Sequence, residues 1–213
     1  MRVRGVIFDL WDTLVEWPHA AAQRLVDRLA DASPHDPVEF RRLLVESYRA
    51  SQTGPLRDVY LDLGIPPHHV DAAIVEHHAI AREALRLRGG AAATIAQLRA
   101  DGLVIGVITV CSEEVPAVWR ETELHGLFDA ETFSSVCGLM KPEPEIYRRT
   151  ASALGVPVES CLFVGDGAND ELDGAARVGM TPVLFAPGRP RWPNLQQWAG
   201  HRVSTMEEVL ELC

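Results

Sequence analysis

Positive charge is scarce in this 213-residue chain, and lysine is almost absent. Lys plus Arg total 20 against 30 Asp plus Glu, a formal net charge of −10. That balance argues against a general nucleic-acid binder, because phosphate backbones attract basic surfaces. No apolar run approaches the roughly 18 residues needed to cross a bilayer; Leu103–Cys111 is far too short. A secretory signal is not expected, since the apolar stretch after Arg2 and Arg4 meets Asp9 at once. Cys111, Cys137, Cys161 and Cys213 form no CxxC pair and no metal-ligand spacing. Reduced thiols in a cytoplasmic protein are the expectation. No low-complexity tract or internal repeat interrupts the chain.

What is present suits an ordinary globular fold. The hydrophobic fraction is 47% and the charged fraction 23%, enough apolar material for a sizeable core. Among the basic residues, 19 are Arg and one is Lys141, between Met140 and Pro142. Lys is a compact charge with three donors, whereas Arg is a planar fork. A site built for an ammonium would not accept Arg, so Lys141 is a candidate functional residue on composition alone.

The apolar pattern predicts strands alternating with helices. Val3–Phe8 reads as a buried strand that stops at Asp9. From about Pro18 to Leu87 the spacing is helical. Within it, Asp36-Pro37-Val38-Glu39 reads as a helix start with an N-cap, a first-position Pro and a capping Glu. Beyond Gly89-Gly90, helices are expected over 91–100, 112–124, 144–154 and 171–178. Strands are expected over 103–108, 128–133, 161–164 and 182–185, and Thr205-Met206-Glu207-Glu208 reads as a capping box opening a last helix. This alternation implies an α/β fold with a doubly wound parallel sheet. Residues 1–16 and 88–213 form the expected α/β core domain, and 17–87 an inserted helical domain.

In such sheets ligands sit at the carboxyl ends of strands. Asp9, Thr109 and Gly165-Asp166 all fall where an apolar strand ends. A carboxylate at Asp9 suits a nucleophile or a metal ligand. Val164–Glu171 (VGDGANDE) supplies a second acidic site. Mg2+ takes hard oxygen ligands, usually one or two carboxylates plus water. Asp9 and Asp166 would suffice, with Asp170 or Glu171 reaching through water. The Thr109 hydroxyl and the Lys141 ammonium suit phosphoryl oxygens, whose transfer depends on positioning and charge stabilisation.

Together these residues resemble the haloacid dehalogenase (HAD) superfamily along essentially the whole chain. Asp9-Leu10-Trp11-Asp12-Thr13 resembles its first motif, DxDxT. Thr109 resembles the second motif, Lys141-Pro142 the third, and Val164–Glu171 the acidic fourth. The helical insert lies where the family's C1 cap belongs. The resemblance implies a Rossmann-like core and a Mg2+-dependent phosphatase acting on a small phosphorylated metabolite. It implies Asp9 as the nucleophile that becomes an aspartyl-phosphate. It implies Mg2+ held by Asp9, the Trp11 carbonyl and Asp166, with Asp170 and Glu171 as alternatives for the remaining acidic role. Thr109 and Lys141 would hold the phosphoryl group.

One departure stands out. The second Asp of the first motif, the family's general acid and base, is Trp11 here. Indole is a donor only and has no basic site. Along an extended segment Asp12 would face away from Asp9. Val110 stands where many members carry Asn or Asp. Glu16 and His19 follow the motif and read as hinge or surface residues. His68-His69 and His77-His78 read as solvated helix faces. Two alternatives to the phosphatase remain: a weakly active or inactive HAD-fold protein that binds a ligand or partner, and a 2-haloacid dehalogenase-like hydrolase. The dehalogenases resemble this chain in having an aromatic residue at that position, but they typically lack the Gly-Asp pair kept at Gly165-Asp166. A Lys-dependent phosphonatase is excluded, because the insert contains no Lys.

Overall fold

The computed structural model describes residues 2–213. Strand β1 (Gly5–Asp9) is fully buried and forms the centre of a sheet. Five helices follow: α1 (His19–Ala32), α2 (Pro37–Glu46), α3 (Tyr48–Thr53), α4 (Leu56–Asp62) and α5 (Pro67–Ala84). The chain then alternates through α6 (Ala91–Ala100), β2 (Val104–Thr109), α7 (Glu114–Val118), β3 (Ala130–Phe133), α8 (Ser134–Cys137) and α9 (Pro144–Ala153). It ends with β4 (Cys161–Gly165), α10 (Glu171–Arg177), β5 (Thr181–Phe185) and β6 (His201–Val203). The sheet order is β3-β2-β1-β4-β5-β6, every pair parallel. The doubly wound α/β architecture expected from the alternating pattern is therefore present.

Strand alternation divides the core between the two faces of the sheet. Val6, Phe8, Val107 and Val164 pack on one side with Ile95 and Leu98 of α6. Ile7, Ile108 and Phe163 pack on the other with Ile146 and Tyr147 of α9. Strands covered on both faces must be apolar along their whole length, which is why β1, β2 and β4 read as continuous hydrophobic runs. Helices α1 to α5 bury a third cluster of their own, including Leu25, Phe40, Leu56, Tyr60 and Val70. The chain leaves the sheet layer past Val15 and returns at Leu87, and these two residues pair in an antiparallel bridge.

Local signals worked where a side chain satisfies a helix end. The Asp36 carboxylate accepts from the N–H groups of Val38 and Glu39 at 3.0 and 3.2 Å, and Pro37 opens α2. Three details differ from expectation. The segment 112–124 is not one helix: α7 ends at Val118, a 3₁₀ turn covers Trp119–Glu121, and the Thr122 hydroxyl donates to the Trp119 carbonyl at 2.7 Å. The last segment, Glu207–Leu212, is 3₁₀ rather than α, and Glu208 accepts from the N–H of Ser204 instead of Thr205. Strand β6 was not expected, because three residues are too short to show a period. All four cysteines are free. No described helix is long and apolar enough to cross a membrane.

Candidate active site

The carboxyl ends of β1, β2 and β4 lie side by side, with Asp9 opposite Ile108 and Phe8 opposite Val164. β1 delivers Asp9 to this edge at 5% exposure. The loop before α9 delivers Lys141, and the start of α10 delivers Glu171, both buried. The Lys141 Nζ donates to Asp9 Oδ1 and to Glu171 Oε2. Glu171 Oε1 accepts the Gly167 N–H at 2.9 Å, so this side chain ties the lysine to the β4–α10 turn. Gly165 permits that approach, since a Cβ there would lie 2.1 Å from Glu171 Oε1. Gly167 adopts φ +87°, in the left-handed region that glycine enters freely. Asp166 is buried beside them. Its Oδ1 accepts the Ala168 N–H at 3.0 Å and its Oδ2 the Trp192 indole N–H at 3.1 Å.

Three carboxyl groups are therefore buried beside one ammonium, and two of them bond it. Burial raises the Asp9 pKa, Lys141 partly offsets this, and Asp166 adds to it. Burial and then the charge of Asp9 push Glu171 up to about 8. Burial opposes the Lys141 charge, yet Asp9 and Glu171 outweigh it and hold its pKa above the usual lysine value. The cluster carries more negative charge than one lysine can balance, which favours a bound proton or cation. Asp9, Asp166 and Glu171 each offer an oxygen within 4.8 Å of the others. Hard oxygens with surplus negative charge fit Mg2+. Asp170 stands outside: it is exposed at φ +54°, while Glu171 turns into the cluster. Thr109 is fully buried one residue beyond the Asp9 partner, and its Oγ1 has no hydrogen-bond partner. The cavity wall beside it is formed by Val110, Cys111 and Ser112.

Above the cluster lies a cavity of about 460 Å³ between the sheet edge and the helical insert. Trp11 lines it. Its ring meets Trp17 edge-on at 4.8 Å, and its indole N–H is buried without a partner. The expectation for Asp12 is corrected here. The chain bends rather than continuing extended, with Asp12 at φ +58°, and its carboxylate sits on the cavity wall. It accepts the Trp17 N–H at 3.0 Å and pairs with Arg191. Glu16 is exposed and lies 3.4 Å from Arg88. His19 is exposed at the cavity edge, 3.9 Å from Asp12. The reading of His77 as solvated is also corrected: it lines the cavity, meets the Tyr60 hydroxyl at 2.6 Å, and burial lowers its pKa to about 4. His68 and His69 are exposed, as expected.

Sequence reasoning missed Glu114, Arg191 and Trp192. The last two lie in the Pro/Gly-rich segment after β5, where no period announces a contact with Asp166. Glu114 is the second of two consecutive acids, five positions beyond Thr109. It is 8% exposed and Oε2 has no hydrogen-bond partner. Burial pushes its pKa up to about 7. Between the unfolded value near 4.5 and this folded value the native state holds a proton that the unfolded chain releases. Native stability from this group therefore falls as pH rises through that window. Relative to Glu114→Gln, the wild type is expected to lose roughly 3 kcal/mol between pH 4 and pH 8. Urea unfolding of both proteins across that range checks this; a constant gap would mean Glu114 ionises normally.

Comparison with known proteins agrees with this architecture. A profile for haloacid dehalogenase-like hydrolases matches residues 3–179. Glyceraldehyde 3-phosphate phosphatase of Pyrococcus furiosus is 28% identical over 225 aligned residues, covering 99% of this chain and 93% of that protein. The crystal structure of a HAD phosphatase from Thermococcus onnurineus superposes with a TM-score of 0.71 at 20% identity, covering 100% of this chain and 97% of the other. That of 2-haloacid dehalogenase from Pseudomonas syringae does so with a TM-score of 0.70 at 20% identity, covering 99% and 97%. These two structural likenesses speak to the fold, while the profile match spans most of the sequence and all four motif positions. The chain belongs to the haloacid dehalogenase-like hydrolase family.

Proposed function

We propose that this protein is a Mg2+-dependent phosphatase of small phosphorylated metabolites, working through an aspartyl-phosphate on Asp9. The observation that carries the reading is the buried Asp9–Lys141–Glu171 cluster with Asp166 beside it, on the floor of a largely apolar cavity beneath the helical insert. The relative named glyceraldehyde 3-phosphate phosphatase supports it. Residues 17–87 act as the cap that selects the substrate, in the manner of a C1 insert. Mg2+, held by Asp9, Asp166 and the Trp11 carbonyl, would neutralise phosphoryl charge. Glu171 positions Lys141, and Asp170 takes no part.

The Asp9 carboxylate attacks phosphorus, and the bond from phosphorus to the leaving oxygen breaks. Lys141 balances the charge of the incoming anion and of the phosphoryl oxygens. Thr109 holds a phosphoryl oxygen once its hydroxyl rotates from its present unpartnered site. The leaving oxygen takes its proton from water, since Trp11 has none of the right kind to give. Water then attacks phosphorus, releasing phosphate and restoring Asp9.

The test is phosphate release from a panel of phosphorylated metabolites and an acyl phosphate, with Mg2+ or with EDTA. Turnover that requires Mg2+ is expected, fastest for the acyl phosphate, whose leaving group needs no proton. Turnover that survives EDTA unchanged would overturn the metal assignment. Trp11 favours a second reading, halide displacement from a 2-haloacid, because a halide leaves without protonation. Metal-independent halide release with no phosphate release would establish that reading instead.

A further inference from the structure

The cavity has a polar end away from Asp9 that the phosphoryl chemistry does not use. There Glu114, from the start of α7, lies near Tyr60 of the helical insert, whose hydroxyl meets His77. Beside them the Gln52 amide donates to Ser112 Oγ at 3.2 Å, joining insert to core. Much of the remaining wall is apolar, including Leu25, Leu56 and Ile80.

Glu114 is a buried carboxyl group on a residue that lines a ligand-sized cavity, and its Oε2 has no hydrogen-bond partner. A buried carboxylate without a cation or donor is costly, so such groups are normally paired. Among the described residues of this cavity, the Ser112 hydroxyl is a donor to this carboxyl group, but no Lys or Arg pairs with it. Lys141 is bound to Asp9 and Glu171, and Arg191 to Asp12. His77 is neutral, and its Nε2 is engaged by Tyr60. In the absence of an occupant a proton fills this place, and a cationic group on the occupant would displace it. The occupant's body must be apolar enough for the Leu25–Ile80 wall, and its other end must carry the phosphate.

We propose that the distal end of the cavity binds an ammonium group on the leaving-group portion of the substrate, with Glu114 as its counter-ion. The substrate class is therefore a phosphate monoester of an amino alcohol. This rests on the phosphatase reading of the same cavity. A phosphate ester ending in a carboxylate would meet Glu114 as a like charge and be rejected.

The experiment compares kcat/KM with Mg2+ for ω-aminopropyl, -butyl and -pentyl phosphates against the alkyl and ω-hydroxyalkyl phosphates of equal length. At the best length the amino ester is expected to be preferred by about tenfold or more over both, as for a desolvated charge-assisted contact. Glu114→Gln, checked for folding by thermal unfolding, is expected to bring that ratio close to one. No preference at any length in the wild type, equal preference for the hydroxyl ester, or a preference that survives Glu114→Gln would each overturn the proposal. Hydrolysis of the plain alkyl esters reports on the phosphatase reading separately. If none of the esters is hydrolysed, calorimetric binding of the same series to the Mg2+-loaded protein decides: tenfold tighter binding of the amino ester, lost in Glu114→Gln, supports the subsite, and equal binding overturns it.

Discussion

Asp9→Asn is expected to lower phosphate release by about a thousandfold or more, because the amide oxygen cannot serve as the nucleophile that splits the reaction into two steps. The same substitution is not expected to weaken the fold. Asp9 is one of three buried carboxyl groups around a single ammonium, and burial already raises its pKa. Removing its charge relieves repulsion with Asp166 and Glu171, and Lys141 keeps Glu171 as a partner. The amide is nearly isosteric, so no cavity opens. The variant should thus unfold at the wild-type temperature or above it while losing turnover. Steady-state kinetics and thermal unfolding on one preparation check both halves. Hydrolysis at the wild-type rate would remove Asp9 from the chemistry, and a large drop in unfolding temperature would mean that its charge is structural.

Trp11→Asp is expected to act in the opposite direction on rate. A carboxyl group at this position would face the cavity that Asp9 and Trp11 share, and could protonate the leaving oxygen. Proton transfer of this kind contributes about 10²–10⁴ in rate. The gain should be largest for alkyl esters, whose alkoxides are poor leaving groups, and small for an acyl phosphate. That contrast separates a new acid from a general change in the site. Stability should fall, because the indole that packs edge-on against Trp17 is lost. Truncating a large buried aromatic costs about 3–5 kcal/mol, an upper bound here because Trp11 is only partly buried. A folded variant with unchanged or lower activity on every ester would show that Trp11 contacts the substrate, or that another group already delivers the proton.

The central elements were legible for a simple reason. Val6, Ile7 and Phe8 are buried on alternating faces of a parallel sheet, so β1 had to be apolar throughout, and Asp9 then marked its end. Lys141 was legible by rarity, as the one Lys in a chain of Arg. The choice between Asp170 and Glu171 was not. Both follow Gly165-Asp166 within a turn, and only the left-handed residues Asn169 and Asp170 decide which carboxylate faces inward. Asp12 was misplaced for a related reason, because its positive φ breaks the extended path that alternation assumes.

The order of elements, the strand ends and the identity of the charged groups are one-dimensional facts, written in apolar period and residue type. They determine a doubly wound α/β core and where its chemistry must lie. The distances between those groups are set by long-range packing. Glu114 comes near Tyr60 only because the helical insert closes over α7, and Trp192 reaches Asp166 only because the loop after β5 folds back across the sheet edge. Burial is likewise a property of the whole fold. It raises Glu114 and Glu171 and lowers His77, although the same residues in an unfolded chain would titrate normally. The tertiary structure alone decided which acids share the lysine and which carboxyl group is buried at the cavity with no Lys or Arg beside it.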